Sequence, residues 1–376
     1  MEEATTPQAL QQGDTIAFVS PSGRLNDIWP SALERATKYI ETLGFRVEVI
    51  FTSPLSEDHA TQIAQRCNEL HQAFSSPHIK AIICTSGGNT SSELLQHLDY
   101  DLIRANPKIF CGYSDITNLH GALYSQAQLR TFYGPTALLE LAEFPKPIDF
   151  TTSHFLHVLS SSANTPIGAF PRSEQWAPEL SAFITGADKA AEIPRSLIAS
   201  PTWKWFREGS ATGPILGGVL TAFLSLAGSK YFPPLKGAIL LLESSFGAVM
   251  GSPAPIQKTR EQLVQLANMG VFEQVKGVVF GRLVGANLEG VQEEFEKVLG
   301  GVLDVSGFQG PVLLNVDVGH TDPILTIPLG GLVRLDSTKG EFVGLEPGVV
   351  SKQVFDEYTT ATTPFQEIEV LSVVGT

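Results

Sequence analysis

The residues best placed to do chemistry lie in Lys108-Ile109-Phe110-Cys111-Gly112-Tyr113-Ser114-Asp115-Ile116, an apolar run that stops abruptly at a serine. The β-branched and aromatic part reads as a short buried strand, and residues 116–124, with Leu119 and Leu123 four apart, read as a helix. A strand, a sharp turn and a helix hold a hydroxyl above the end of a sheet and aim the first helical amides at whatever it attacks. The full Gly-x-Ser-x-Gly pattern is not met, because Ile116 stands where the second glycine would be. Serine is also a common N-cap at such a turn, so both readings of Ser114 are open on local grounds.

A serine hydroxyl is a poor nucleophile near neutral pH and needs a base within reach and a third group to hold that base. Of eight histidines, His59, His71, His78 and His97 fall on polar helix faces or loops, and His154 and His157 fall in an irregular middle stretch. His120 sits six residues down the helix that follows Ser114. His320 ends the strand-like Val312-Leu313-Leu314-Asn315-Val316-Asp317-Val318-Gly319-His320 and leads into Thr321-Asp322-Pro323, where a side chain can project into a cleft. Glu243 closes an apolar run, residues 238–242, and a carboxylate in that position is costly unless partnered. A histidine is one partner; an ion pair with Arg282 is the purely structural alternative. Gly87 and Gly88 follow another strand, and bare backbone there, with the amide of Asp115, suits an oxyanion hole. Phosphate cradling is the rival use of such glycines, but neither Gly-x-Gly-x-x-Gly nor a Gly-Lys-Ser/Thr ending is present.

The elements that must position these groups alternate. Strands are expected at 15–20, 45–51, 81–85 and 108–111, and helices at 29–43, 60–74 and 91–98. That order implies a parallel sheet covered by helices, of the Rossmann/flavodoxin-like kind, whose ligands sit beyond the carboxyl ends of the strands. Residues 144–210 lose periodicity and carry prolines at 145, 147, 166, 171, 178, 194 and 201. Regularity returns with Gly213-Pro214-Ile215-Leu216-Gly217-Gly218, a helix at 219–226, strands at 237–242 and 277–280, a helix at 256–267 and short strands from Val312 onward. The expected organisation is an N-terminal α/β nucleophile domain at 13–143, an irregular linker or substrate loop at 144–210, a C-terminal α/β domain with several short strands at 211–350 carrying Glu243 and His320, and an extension at 351–376.

With 376 residues, two cores are the default, and each can form without metals or disulfides. The formal charge of −14 argues against nucleic acid or an anionic membrane as partner. Cys67, Cys84 and Cys111 read as buried free thiols, with no zinc spacing. The polar, acidic residues 1–12 and the lack of any run of eighteen apolar residues make the cytoplasm the expected compartment.

Several segments in order resemble the LD-carboxypeptidase family of serine peptidases, over roughly residues 13–345. They are Gly-Gly-Asn-Thr-Ser-Ser-Glu-Leu-Leu at 87–95, Leu-Asp-Tyr-Asp at 98–101, Pro-Lys-Ile-Phe-Cys-Gly-Tyr-Ser-Asp-Ile-Thr at 107–117, Thr-Phe-Tyr-Gly-Pro at 131–135, Gly-Pro-Ile-Leu-Gly-Gly at 213–218, Leu-Leu-Leu-Glu at 240–243, Gly-His-Thr-Asp-Pro at 319–323 and Ile-Pro-Leu-Gly at 327–330. The resemblance is greatest to the branch that includes the microcin C immunity peptidase. It implies a catalytic Ser114, Glu243 and His320 between two domains, no cofactor, no metal, and a homodimer. It also implies a small peptide or peptidyl-nucleotide substrate: a cell-wall stem peptide, or an amide joining a peptidyl aspartate to a modified adenylate. Val219 stands where many relatives have asparagine, and Ser244-Ser245 replace further acids. Asn89, where cell-wall relatives have tyrosine, points to the microcin-like branch. Trp176, Trp203 and Trp205 are candidates to stack on a base, with packing of the loop against the core as the alternative.

Overall fold

The computed structural model describes residues 4–160 and 165–355, so most of the expected C-terminal extension, residues 356–376, lies outside the described residues. Its first sheet runs, in spatial order, Ile327–Leu329, Thr131–Tyr133, Ile109–Gly112, Ile79–Cys84, Thr15–Val19 and Arg46–Ile50. Five of these strands are parallel, and only Ile327–Leu329 runs antiparallel, against Thr131–Tyr133. A second sheet has four parallel strands at its centre, Ser210–Val219, Ile239–Glu243, Gly277–Gly281 and Val312–Val316, with antiparallel neighbours on both sides. The two sheets confirm the expected α/β class.

Side chains alternate across each strand, and both faces of both sheets are covered. Ile16, Phe18, Ile83 and Ile109 from the first sheet join Ile239, Leu241, Val279 and Leu313 from the second in one contiguous core. On the opposite faces, Ala17, Val19, Ile82 and Phe110 pack against helices His59–Ser75 and Thr117–Ala127, while Leu240, Leu242, Val278 and Phe280 pack against Ile256–Asn268 and Val291–Val305. The two sheets therefore share the apolar layer between them, which holds their strand ends in a fixed relation.

Three local expectations change. In place of one helix at 91–98, a 3-10 turn at Ser91–Leu94 is followed by an α-helix at Tyr100–Ala105, because the Asp99 side chain accepts from the Leu102 amide (2.9 Å) and starts a new helix. The irregular stretch 144–210 contains a full α-helix, Asp149–Ser160, with Phe155, Val158 and Leu159 buried. The prolines that obscured it flank the helix without entering it. The helix Val291–Val305 fills another stretch in which no element was expected.

Candidate active site

Ser114 begins the 3-10 turn Ser114–Ile116 just beyond the Ile109–Gly112 strand, and the helix Thr117–Ala127 follows directly. Its φ of 63° is left-handed, a conformation that a side chain adopts at a cost and that marks a tightly held turn. Gly87 allows the approach: a Cβ there would lie 2.7 Å from the Cβ and 2.8 Å from the Oγ of Ser114. The buried His120 bonds the Gly112 carbonyl through Nε2 (2.9 Å) and the Thr131 hydroxyl through Nδ1 (2.8 Å), so it braces the strand behind the turn. Burial holds its imidazole down at about 4, so it stays neutral there.

Glu243 is the last residue of its strand and His320 lies four residues beyond Val316. His320 Nε2 is 2.8 Å from Ser114 Oγ, and Nδ1 is 2.8 Å from Glu243 Oε2. The imidazole side chain is 6% exposed and the carboxylate 1%. A carboxylate only accepts, so the Nδ1 proton faces Glu243 and Nε2 is left to accept from the serine. Arg282, the structural alternative for Glu243, instead pairs with the fully buried Asp317.

The loop carrying His320 is tied at many points. Asp317 also accepts from the Trp203 indole (2.9 Å) and the Ser173 amide (3.3 Å), and its carbonyl accepts from the Leu325 amide (2.7 Å). Asp322 pairs with Arg195 (2.8 Å), whose other carboxylate partner is Glu143 (2.5 Å). Thr151 and His154, from the helix missed in the sequence, take the amides of Ile324 (3.0 Å) and Thr326 (3.1 Å). Beyond them, Ile327–Leu329 adds to the edge of the first sheet. The loop is thereby stretched from the second sheet to the first, across the serine.

Tyr133, Tyr113, Phe246 and Glu140 join the site without having been expected there. The Tyr133 hydroxyl donates to Glu243 Oε1 (2.6 Å) and accepts from the Ser114 amide (3.3 Å). Rings of Tyr113 and Phe246 stand edge-on to His320 at 5.2 and 4.9 Å. The Tyr113 hydroxyl donates to Glu140 (2.7 Å), and burial with the nearby charge of Asp322 raises that carboxyl to about 7. The Asp115 carboxylate accepts from Ser22 Oγ (2.5 Å), the Ser91 amide (2.9 Å) and Asn118 Nδ2 (3.0 Å), joining the turn after Ser114 to the segment after Gly88.

Trp176 departs from the expected role. Trp176 is 1% exposed, with its ring over the Arg282 guanidinium, and so offers no free face for a base. Trp203 is bonded to Asp317, and both Trp203 and Trp205 are packed against the central core. Trp176 is buried because a large ring gains more by burial than by waiting in water, whereas Trp203 and Trp205 are only half-buried. Asn89 is exposed near the glycine pair. The space beside His320 is bounded by Ala177, Pro178, Leu180, Phe246 and Arg195; Arg195 also lines a larger cavity of about 510 Å³ next to residues 143–150.

Two α/β sheets whose strand ends bring a serine, an imidazole and a carboxylate together define a site of the serine-hydrolase class. The chain belongs to the LD-carboxypeptidase family: residues 16–134 match the LD-carboxypeptidase N-terminal domain and residues 212–335 its C-terminal domain. It is 31% identical over 330 residues to the microcin C7 self-immunity protein MccF of Escherichia coli, covering 87% of this chain and 92% of that protein. To the murein tetrapeptide carboxypeptidase of Pseudomonas aeruginosa it is 24% identical over 288 residues, covering 74% and 80%. An MccF-like protein from Bacillus anthracis superposes with a TM-score of 0.80 at 34% identity, covering 90% of this chain and 98% of that one. MccF in complex with aspartyl sulfamoyl adenosine superposes with a TM-score of 0.80 at 28% identity, covering 92% and 99%. Among the described residues, no helix is long and apolar enough to cross a membrane and no three or more His, Cys, Asp or Glu side chains are grouped so as to hold a metal ion.

Proposed function

We propose that this chain hydrolyses a peptide-type amide through an acyl-enzyme on Ser114. The observation that carries the reading is the unbroken chain from Ser114 Oγ through the imidazole to Glu243, with 2.8 Å at both links. His320 Nε2 takes the Oγ proton as Oγ attacks the carbonyl carbon, and Glu243 holds the imidazole and stabilises its cation. The amides of Gly88 and Asp115 receive the oxyanion, with Gly87 leaving room for the Ser114 side chain; each donor is worth about 3 kcal/mol in the transition state. His320 then passes its proton to the departing amine, and a water deprotonated by the same imidazole releases the acyl group and restores Ser114. A fluorophosphonate probe should label the protein at Ser114, and the folded Ser114→Ala variant should stay unlabelled. Stoichiometric labelling of that variant would refute the nucleophile.

The substrate class that fits best is an aminoacyl or peptidyl nucleotide amide, supported by the greater likeness to MccF and by the fit to its aspartyl sulfamoyl adenosine complex. The murein relative favours a second reading, release of a terminal residue from a cell-wall stem peptide. Turnover of an aspartyl-adenylate amide, a stem tetrapeptide and an aryl ester separates the readings: cleavage of the ester alone identifies a general esterase, and cleavage of none a binding protein. The buried thiols Cys67, Cys84 and Cys111 suit a reducing cytoplasm. A homodimer, as the family resemblance implies, is tested by sedimentation.

A further inference from the structure

We propose that Tyr133 is a positioning residue for the proposed reaction, one hydroxyl that fixes both the carboxylate behind His320 and the backbone of Ser114. The inference rests on the reading of Ser114, His320 and Glu243 given above and extends it to a residue outside that trio. Glu243 has two oxygens and His320 uses one. The other, Oε1, is buried, and an unpaired carboxylate oxygen there would be free to rotate away from the imidazole or would draw the proton to itself. Tyr133 removes both alternatives by donating to Oε1 at 2.6 Å. Its single proton is then committed, so its oxygen faces the Ser114 amide as an acceptor, at 3.3 Å. That contact meets the one non-glycine residue in the site with a left-handed φ. The same atom therefore sets the plane of the carboxylate and helps hold the turn that presents Oγ.

The location explains why the geometry is stable. Tyr133 ends the strand Thr131–Tyr133, which lies between the strand of Ser114 and the strand Ile327–Leu329 that returns from the His320 loop. Its ring is 1% exposed and packs against Tyr113 at 6.2 Å and His120 at 5.9 Å between centroids, so removal of the oxygen alone leaves the ring seated. The other ionisable groups nearby are already engaged: Tyr113 with Glu140, His120 with Thr131 and Gly112, and Asp322 with Arg195. None of them can replace the donor.

The test is Tyr133→Phe in the full chain, read by the second-order rate of fluorophosphonate labelling across pH. Without its donor, Glu243 and His320 together hold their shared proton more tightly, so the acidic limb should move to higher pH by roughly half a unit or more. The plateau rate should fall about 10- to 100-fold, the usual scale for removal of a partner that orients an active group. In a Glu243→Gln background the same substitution should cost several-fold less, because Tyr133 there holds a carboxamide that already turns the wrong group toward His320. An unmoved limb, or an equal loss in both backgrounds, would overturn the proposal and leave Tyr133 as packing. If Tyr133→Phe fails to fold, 3-fluorotyrosine at position 133 supplies a stronger donor, which should move the limb to lower pH; no movement would overturn the proposal. Failure of the nucleophile reading is recognised separately, as labelling that survives Ser114→Ala.

Discussion

At Glu243 the two oxygens have different duties, and that asymmetry decides what a conservative change does. In Glu243→Gln the carboxamide oxygen stays with the Tyr133 hydroxyl and the amide nitrogen is turned toward His320 Nδ1. A donor there forces the imidazole proton onto Nε2, which then cannot accept from Ser114. Turnover should fall by about 10³ to 10⁴ with the fold intact, as wrong-tautomer variants of such triads do, and steady-state kinetics beside a thermal melt checks it. Glu140 makes a second residue-scale expectation. Its carboxyl is raised from 4.5 to about 7 by burial and the neighbouring Asp322. The unfolded chain loses that proton near 4.5 while the folded one keeps it to about 7, so this group's contribution to stability falls as pH rises through that window. Glu140→Gln keeps an acceptor for the Thr136 amide and removes the titration, and urea melts between pH 4.5 and 7 should show a flatter dependence than the parent.

At the scale of elements, the site depends on how closely a loop and a strand end approach. Gly319, just before His320, has φ of 95°, and a Cβ there would lie 2.7 Å from Glu243 Oε2. Gly319→Ala therefore pushes the carboxylate and the imidazole apart and strains the backbone that sets the ring. Labelling of Ser114 should slow by about 100-fold, the cost of a displacement of around 1 Å at reacting groups, and the labelling rate of the purified variant measures it. The turn of Ser114 was legible because its information is local: an apolar strand, a glycine, a serine and a helix all within residues 108–124. Tyr133 was not legible as a site residue, because nothing in Thr-Phe-Tyr-Gly-Pro indicates that its hydroxyl meets a carboxylate 110 positions away. The helix Asp149–Ser160 was hidden by prolines around it, although its Thr151 and His154 pin the loop of His320.

For the whole molecule, the decisive connection is the return of the chain from the second sheet to the edge of the first. Ile327 is fully buried in the common core and pairs with Tyr133. Ile327→Ala should destabilise the fold by about 2 to 5 kcal/mol through the cavity it leaves. Because that strand anchors the far end of the His320 loop, labelling of Ser114 should slow as well, at temperatures where the variant remains folded. Urea denaturation and labelling of the same preparation read the two effects; a stability loss without a labelling loss would mean the loop is held by its other bonds alone.

Local patterns in the chain were sufficient for the alternating elements, for the turn at Ser114, and for the isolation of Glu243 and His320 as residues that need partners. Hydrophobic period, turn residues and the cost of a charge after an apolar run act over a few positions and can be read there. Which partner each group takes was decided only in three dimensions. Glu243 faces His320 and Tyr133 while Arg282 faces Asp317, and Trp176 is spent on packing, because those choices depend on which strand ends the shared core brings side by side.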